Sequence, residues 1–234
     1  MNKLTPTLTA LALAAAGAAE VEGEAGGGAE GLLREGAGRA LEAGHFLAEE
    51  RPEETARATR AFEATYALVE RRVPRYFAWL TRSIRYVVPL ATEPDSIISG
   101  SFHYRPAVVN LAYAASPLPL ADFLAPHEAG HQYFYATRLV KRLDDGSDTQ
   151  LYFQPLIRAQ RKIDYMALGF HAHANVVLFC RDYRASGPDD DGYCARREAS
   201  LLSDLACFQE LLGTSKALTP VGRALVDPLL ERPA

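Results

Sequence analysis

The chain has 234 residues, of which 48% are hydrophobic and 23% charged, and its formal net charge is −4. This composition suits one folded unit with a sizeable core, and there is no dense run of lysine and arginine of the kind that binds nucleic acid phosphates. The three cysteines lack CxxC spacing, which argues against a disulfide framework or a cysteine-based zinc site and favours a reducing compartment.

Residues 1–31 are predicted to form an N-terminal helix and a glycine-rich hinge, which reads GEAGGGAEG. Residues 32–234 are then expected to form a single domain. A secretory signal at residues 1–19 is the alternative for the first segment, but alanine supplies most of its apolar stretch and only one lysine precedes it. We therefore expect a cytoplasmic protein, and no stretch is apolar and long enough to predict a bilayer span.

The middle of the chain predicts helices, then two short strands, then a long helix. Residues 35–90 have a helical pattern, in which Pro52 suits a helix start. β-Branched and alternating residues predict strands within residues 96–101 and 107–115. Ser116 and the prolines after it are expected to open a helix that runs to about residue 142.

The last third of the chain is also mainly helical. Tyr152 and Phe153 suggest a short extended piece, and a long helix is predicted at residues 158–183. A loop at residues 186–192 precedes a final pair of helices, the second of which has Thr219 as cap and Pro220 in its first turn. The predicted fold class is mainly α with a small β element, an α+β arrangement.

The sequence His127-Glu128-Ala129-Gly130-His131 is an HExxH motif. Two histidines four residues apart on a helix project from one face and can bind one divalent metal ion, while Glu128 can hold a proton or a water beside it. A pair of exposed histidines on a surface helix is the structural alternative. Pro126 predicts that the helix kinks or begins at this residue. We therefore interpret residues 32–234 as a metalloenzyme domain.

A third metal ligand is expected from the next long helix, which carries His171 and His173. His171 shares a helical face with Asp164 and Asn175, and such a polar strip can supply the hydrogen bonds that a ligating imidazole needs. We therefore favour His171 over His173.

This metal set suits a zinc-dependent metallopeptidase with Glu128 as general base. Phe134 and Thr137 stand where the HExxHxxGxxH class has its glycine and third histidine, so that class is not matched. The strand before the motif helix would suit an extended peptide that pairs to its edge.

Four stretches of the chain resemble the HExxH-containing peptide-modification proteins, small enzymes encoded with ribosomally made peptide natural products. The stretches are SGSF at 99–102, LADFLAPHEAGHQYFYATRLV at 120–140, LYFQP at 151–155 and QRKIDYMALGFHAHANVVLF at 160–179. The phrase LTP at residues 4–6 is similar to the one that opens the family's N-terminal segment. The resemblance covers the central part of the chain and implies a zincin-like HExxH helix preceded by short strands.

The resemblance implies an iron(II), 2-oxoglutarate-dependent enzyme that hydroxylates the β-carbon of a residue in a precursor peptide. Its metal ligands would be His127, His131 and His171, and Arg161 would hold the distal carboxylate of 2-oxoglutarate. Three histidines differ from the usual two-histidine, one-carboxylate iron site, so iron is implied by the resemblance alone and zinc remains the alternative. A non-catalytic peptide-binding partner is a third possibility. Neither nucleic acid nor membrane is an expected partner.

Overall fold

A computed structural model describes residues 52–84, 86–90, 99–101, 107–112, 116–189 and 191–231. The helix and glycine-rich hinge predicted at residues 1–31 lie outside these residues, as does the alternative signal segment. Among the helices that are described, none has the length and apolar character needed to cross a membrane.

The protein is mainly helical with a small β element, as predicted. In chain order the elements are α1 (Pro52–Arg72), α2 (Pro74–Ser83), β1 (Tyr86–Leu90), β2 (Ser99–Ser101), β3 (Val108–Ala112), α3 (Pro117–Asp122), a π-helical turn (Phe123–Glu128), α4 (Ala129–Val140), β4 (Tyr152–Gln154), β5 (Ala159–Arg161), α5 (Ile163–Ala185), α6 (Tyr193–Thr214) and α7 (Pro220–Leu230).

The helical stretch predicted up to residue 90 ends earlier than expected. The last helix ends at Ser83, and Tyr86–Leu90 forms a strand instead. Ile84 and Val87 follow the helical spacing and are buried, but Ile84 already has extended backbone angles. Adjacent β-branched residues followed by a proline suit a strand better than a helix, so the spacing was misleading here.

The first sheet has the order β1-β3-β2, with β1 parallel and β2 antiparallel to β3. The central strand is therefore β3, which precedes the motif helix and is paired on both sides. The prediction that a peptide could pair to the edge of this strand is wrong for that reason. The outer strand on the side of the motif helix is β2, since the side chain of Ser101 contacts Glu128.

The motif helix is continuous from α3 through the π turn to α4. Pro126 lies inside the π turn, where the backbone N–H of Ala129 donates to the carbonyl of Leu124, five residues back. Proline lacks an N–H and its ring clashes with the preceding turn of a regular helix, and the wider turn accommodates both effects. The irregularity predicted at Pro126 is thus a bulge within the helix.

The centre of the molecule is α5, in which 17 of 23 residues are buried, so neighbouring elements cover it on every side. It begins at Ile163, later than predicted, because residues 159–161 pair with β4 as β5. The extended piece predicted at Tyr152 is confirmed as β4. The predicted cap of α7 is also confirmed, since the hydroxyl of Thr219 accepts a hydrogen bond of 3.2 Å from the backbone of Gly222.

Candidate metal centre

The structure brings the two histidines of the motif together at the junction of the π turn and α4. The ring centroids of His127 and His131 are 4.6 Å apart. One potential ligand atom from each of His127, Glu128 and His131 lies within 4.8 Å of the other two. Helical spacing predicted this convergence, and the π turn that contains His127 does not disturb it.

Glu128 is a buried carboxyl group beside the histidines, with only 1% of the residue exposed. Its Oε2 accepts a hydrogen bond from the hydroxyl of Ser101, and its Oε1 is 3.8 Å from Nε2 of His127. Burial raises the pKa of Glu128 to about 7, although hydrogen bonds from Ser101 and Ser99 act in the opposite direction. The group can therefore take up or release a proton near neutral pH.

Ser99 and Ser101 received no role from the sequence, yet both lie at the site. They are two residues apart on β2, so their side chains point to the same face of the sheet, toward Glu128. The alternation of serine, glycine and serine indicates a polar strand face, but it does not tell which side chain that face meets.

Gln132 follows the motif directly and attaches the motif helix to the sheet. Its side-chain oxygen accepts a hydrogen bond of 2.8 Å from the backbone of Ala107, and its nitrogen donates one of 2.7 Å to the carbonyl of Val108. These bonds satisfy backbone groups at the start of β3, where Ala107 has a left-handed conformation with φ 61°. The buried amide thus fixes the distance between the histidines and the strands.

His173 lies next to His127, at a ring-centroid distance of 4.9 Å and an interplanar angle of 86°. Its Nδ1 is 2.7 Å from the carbonyl oxygen of Gly169, one turn back in α5. A carbonyl can only accept, so Nδ1 carries the proton and Nε2 keeps its lone pair for another partner. A backbone bond of this kind orients many metal-binding histidines.

His171 lies on a different face of α5, within a group of aromatic rings. Its ring is stacked on that of Tyr133 with centroids 6.0 Å apart, and the rings of Trp79 and Phe134 are also near. It is fully buried, and neither of its nitrogens has a hydrogen-bond partner among the described residues. The ring therefore packs against the side of the motif helix that carries Tyr133 and Phe134.

The polar strip that favoured His171 in the sequence is used differently. Asn175 donates a hydrogen bond of 2.7 Å to the main-chain oxygen of His171 and none to its ring. Asp164 forms an ion pair with Arg138 at 2.9 Å. The orienting bond expected for His171 is found at His173 instead, and it comes from the backbone.

All of these histidines are held in the neutral form. Burial lowers the pKa of His127 well below its usual value, that of His131 to about 3 and that of His173 to about 4. Neutral imidazoles have a lone pair available over the whole physiological pH range, which a metal ligand requires. The donor set fits a divalent ion that accepts imidazole ligands, such as zinc or iron.

Arg161, the predicted carboxylate-binding residue, is on β5 and exposed. Its guanidinium carbon is 5.9 Å from the centroid of the Tyr165 ring. A different arginine is associated with the histidines. Burial is the main cause of the low pKa values of His127 and His173, and the charge of Arg197 lowers both further.

The chain was also compared with known proteins. No protein-family model matches it, and no curated protein matches it in sequence.

Proposed function

We propose that the protein is an iron(II), 2-oxoglutarate-dependent hydroxylase that acts on the β-carbon of a residue in a ribosomally made precursor peptide. The observation that carries the proposal is that the ring of His173 lies next to that of His127. His127 in turn has ligand atoms within 4.8 Å of those of Glu128 and His131. In this proposal His127, His131 and His173 bind the metal. His173 replaces His171, because its ring is beside that of His127.

The three histidines are suited to hold an ion without a charged ligand. The bond from Nδ1 of His173 to Gly169 leaves Nε2 as the nitrogen with a free lone pair. Bound iron would supply the oxidising chemistry, with oxygen and 2-oxoglutarate as co-reactants. The choice of iron is supported by the resemblance in sequence, since imidazole ligands suit zinc equally well.

Glu128 has a supporting role in this proposal and is not a metal ligand. Its Oε2 is engaged by Ser101, and the carboxyl group has a pKa of about 7, so it can hold a proton beside the metal. The strand that carries Ser101 also runs past the site. An extended peptide that pairs with the outer side of β2 would pass beside the histidines, and main-chain hydrogen bonds of this kind bind peptides without regard to most side chains.

A zinc-dependent metallopeptidase is the second candidate, and the position of Glu128 is the observation that favours it. A general base is most effective when its pKa is near the working pH, and Glu128 meets this condition. It would take a proton from a water molecule on the metal. The two candidates use the same histidines and differ in the metal and in the product.

One experiment separates these candidates. The protein is purified without oxygen, its metal content is measured, and it is incubated with candidate precursor peptides, iron(II) and 2-oxoglutarate. Formation of succinate together with a peptide that has gained one oxygen atom supports the hydroxylase. Cleavage of the peptide with zinc alone supports the peptidase. If a folded, metal-loaded protein binds peptide but gives neither product, the protein is a non-catalytic partner and the proposal is wrong.

A further inference from the structure

A charged cluster lies next to the histidines and is not used by the proposed function. Asp122 directly precedes the π turn and is fully buried. Its Oδ2 accepts hydrogen bonds of 2.7 Å from the hydroxyl of Tyr193 and 2.8 Å from Nε of Arg197. Both partners are in the first turns of α6, so the buried carboxylate connects α6 to the helix that carries the motif.

The guanidinium group of Arg197 is fixed at one end and available at the other. Only its Nε is used by Asp122, and its two terminal nitrogens have no hydrogen-bond partner in the described part of the chain. The guanidinium carbon is 5.4 Å from the centroid of the Phe123 ring, which in turn is 5.7 Å from the ring of His127. The side chain is 24% exposed, so a ligand can reach it.

Other arginines near the site are less suitable for binding an anion there. Arg138 is paired with Asp164 at 2.9 Å. Arg161 is on the exposed β4–β5 hairpin, and it contributes to none of the pKa shifts of the histidines. Arg197 lies nearer to the histidines, because its guanidinium contacts the Phe123 ring, which is next to His127.

We propose that the two terminal nitrogens of Arg197 bind the distal carboxylate of a small 2-oxo dicarboxylic acid, such as 2-oxoglutarate, whose other end is seated at the histidines. This inference rests on the proposed function and assigns its co-substrate site. A guanidinium matches a carboxylate with two parallel hydrogen bonds. Because Asp122 already holds Nε, little side-chain freedom is lost when the ligand binds.

The test uses protein loaded with manganese(II) in the absence of oxygen, so that binding is measured without turnover. Calorimetry gives the dissociation constants of 2-oxoglutarate and of 2-oxopentanoate, which has a methyl group in place of the distal carboxylate. For Arg197→Gln we expect affinity for 2-oxoglutarate to fall by about 10- to 100-fold, because a charge-assisted pair is lost. Affinity for 2-oxopentanoate should be unchanged, as should the affinity of Arg161→Gln for 2-oxoglutarate.

Arg197→Gln leaves the carboxylate of Asp122 without its charged partner, so a second variant guards against misfolding. The double variant D122N/R197Q has no unpaired charge and should bind manganese as the wild type does, with the same loss for 2-oxoglutarate. Equal weakening of both acids, or a loss in Arg161→Gln in place of Arg197→Gln, overturns the assignment. If the wild-type protein binds manganese but not 2-oxoglutarate, the proposed hydroxylase function itself is wrong.

Discussion

Replacement of His173 and of His171 is expected to affect metal binding very differently. His173→Ala removes an imidazole whose ring centroid is 4.9 Å from that of His127 and whose Nδ1 is fixed by Gly169. His171→Leu removes a ring that packs among aromatic side chains. Both residues are on α5 and both are buried, so each variant is the control for the other.

The size of the effect follows from the contacts. Loss of a group that merely orients a ligand weakens metal binding by about 10- to 100-fold. Loss of the ligand itself in His173→Ala should therefore weaken it by about 100-fold or more, which equals about 3 kcal/mol. His171→Leu should change the affinity less than about threefold. The lost ring contacts of His171→Leu cost about 0.5–1.5 kcal/mol of folding stability. The variant also removes two buried nitrogens without hydrogen-bond partners, which offsets part of this cost.

The affinities are measured by competition of each variant with a chelator for zinc at pH 7.5. Cobalt(II) is then substituted and its visible absorption is recorded, because the band shape reports the number and type of ligands. Circular dichroism and a urea unfolding curve establish that both variants fold. Tight binding in His173→Ala together with weak binding in His171→Leu would refute the assignment and restore the ligand that the sequence favoured.

Three further predictions concern protonation and packing. Burial lowers the pKa values of the buried histidines, so below pH 6.5 the unfolded chain binds more protons than the folded protein. The metal-free protein should therefore lose about 1 kcal/mol of stability per histidine per pH unit as the pH falls from about 6.5 to about 4.5. Urea unfolding across this range measures the loss, and a flat profile contradicts the prediction. The raised pKa of Glu128 opposes this loss, because the folded carboxyl group takes up its proton below about pH 7, so Glu128→Gln should make the acid dependence steeper in the same assay. A Cβ on Gly222 would lie 2.1 Å from the main-chain oxygen of Leu143, so Gly222→Ala should lower the free energy of unfolding by about 1–3 kcal/mol. The control is Gly213→Ala on α6, where a Cβ meets open space and the free energy of unfolding should not fall. Equal stability of the two variants would contradict the packing argument.

Local sequence patterns predicted the parts of the structure that depend on neighbours along the chain. The spacing of His127 and His131, the cap at Thr219 and the amphipathic helices all follow from helix geometry. The strand Tyr86–Leu90 was missed because its apolar residues also fit a helical repeat. Its two adjacent valines and its proline favour a strand, but the strand forms by pairing with Val108–Ala112. Whether such a short segment forms a strand depends on pairing with a distant segment, and local sequence patterns do not predict that pairing.

The remaining parts of the candidate site depend on how separate elements pack. The choice between His171 and His173 is made by the rotation of α5 against the motif helix, and a polar strip on α5 does not reveal that rotation. Ser101 and Arg197 are 27 and 69 residues from Glu128 along the chain, so no local pattern relates them to it. Sequence reasoning found the motif and named both candidate histidines of α5, but it gave no role to Ser101 or Arg197.

The π turn at Pro126 has a consequence for how this chain tolerates change in length. A π turn contains one residue more than a regular helical turn, and each residue of an α-helix advances by about 100° around the axis. Deleting Pro126 would let a regular helix form, and the buried ion pair of Asp122 would keep nearly its present direction relative to the histidines, because the wide turn and the regular turn both return to the same side of the helix. The segment can therefore gain or lose this one residue while the ion pair and the histidines stay on their present sides of the helix.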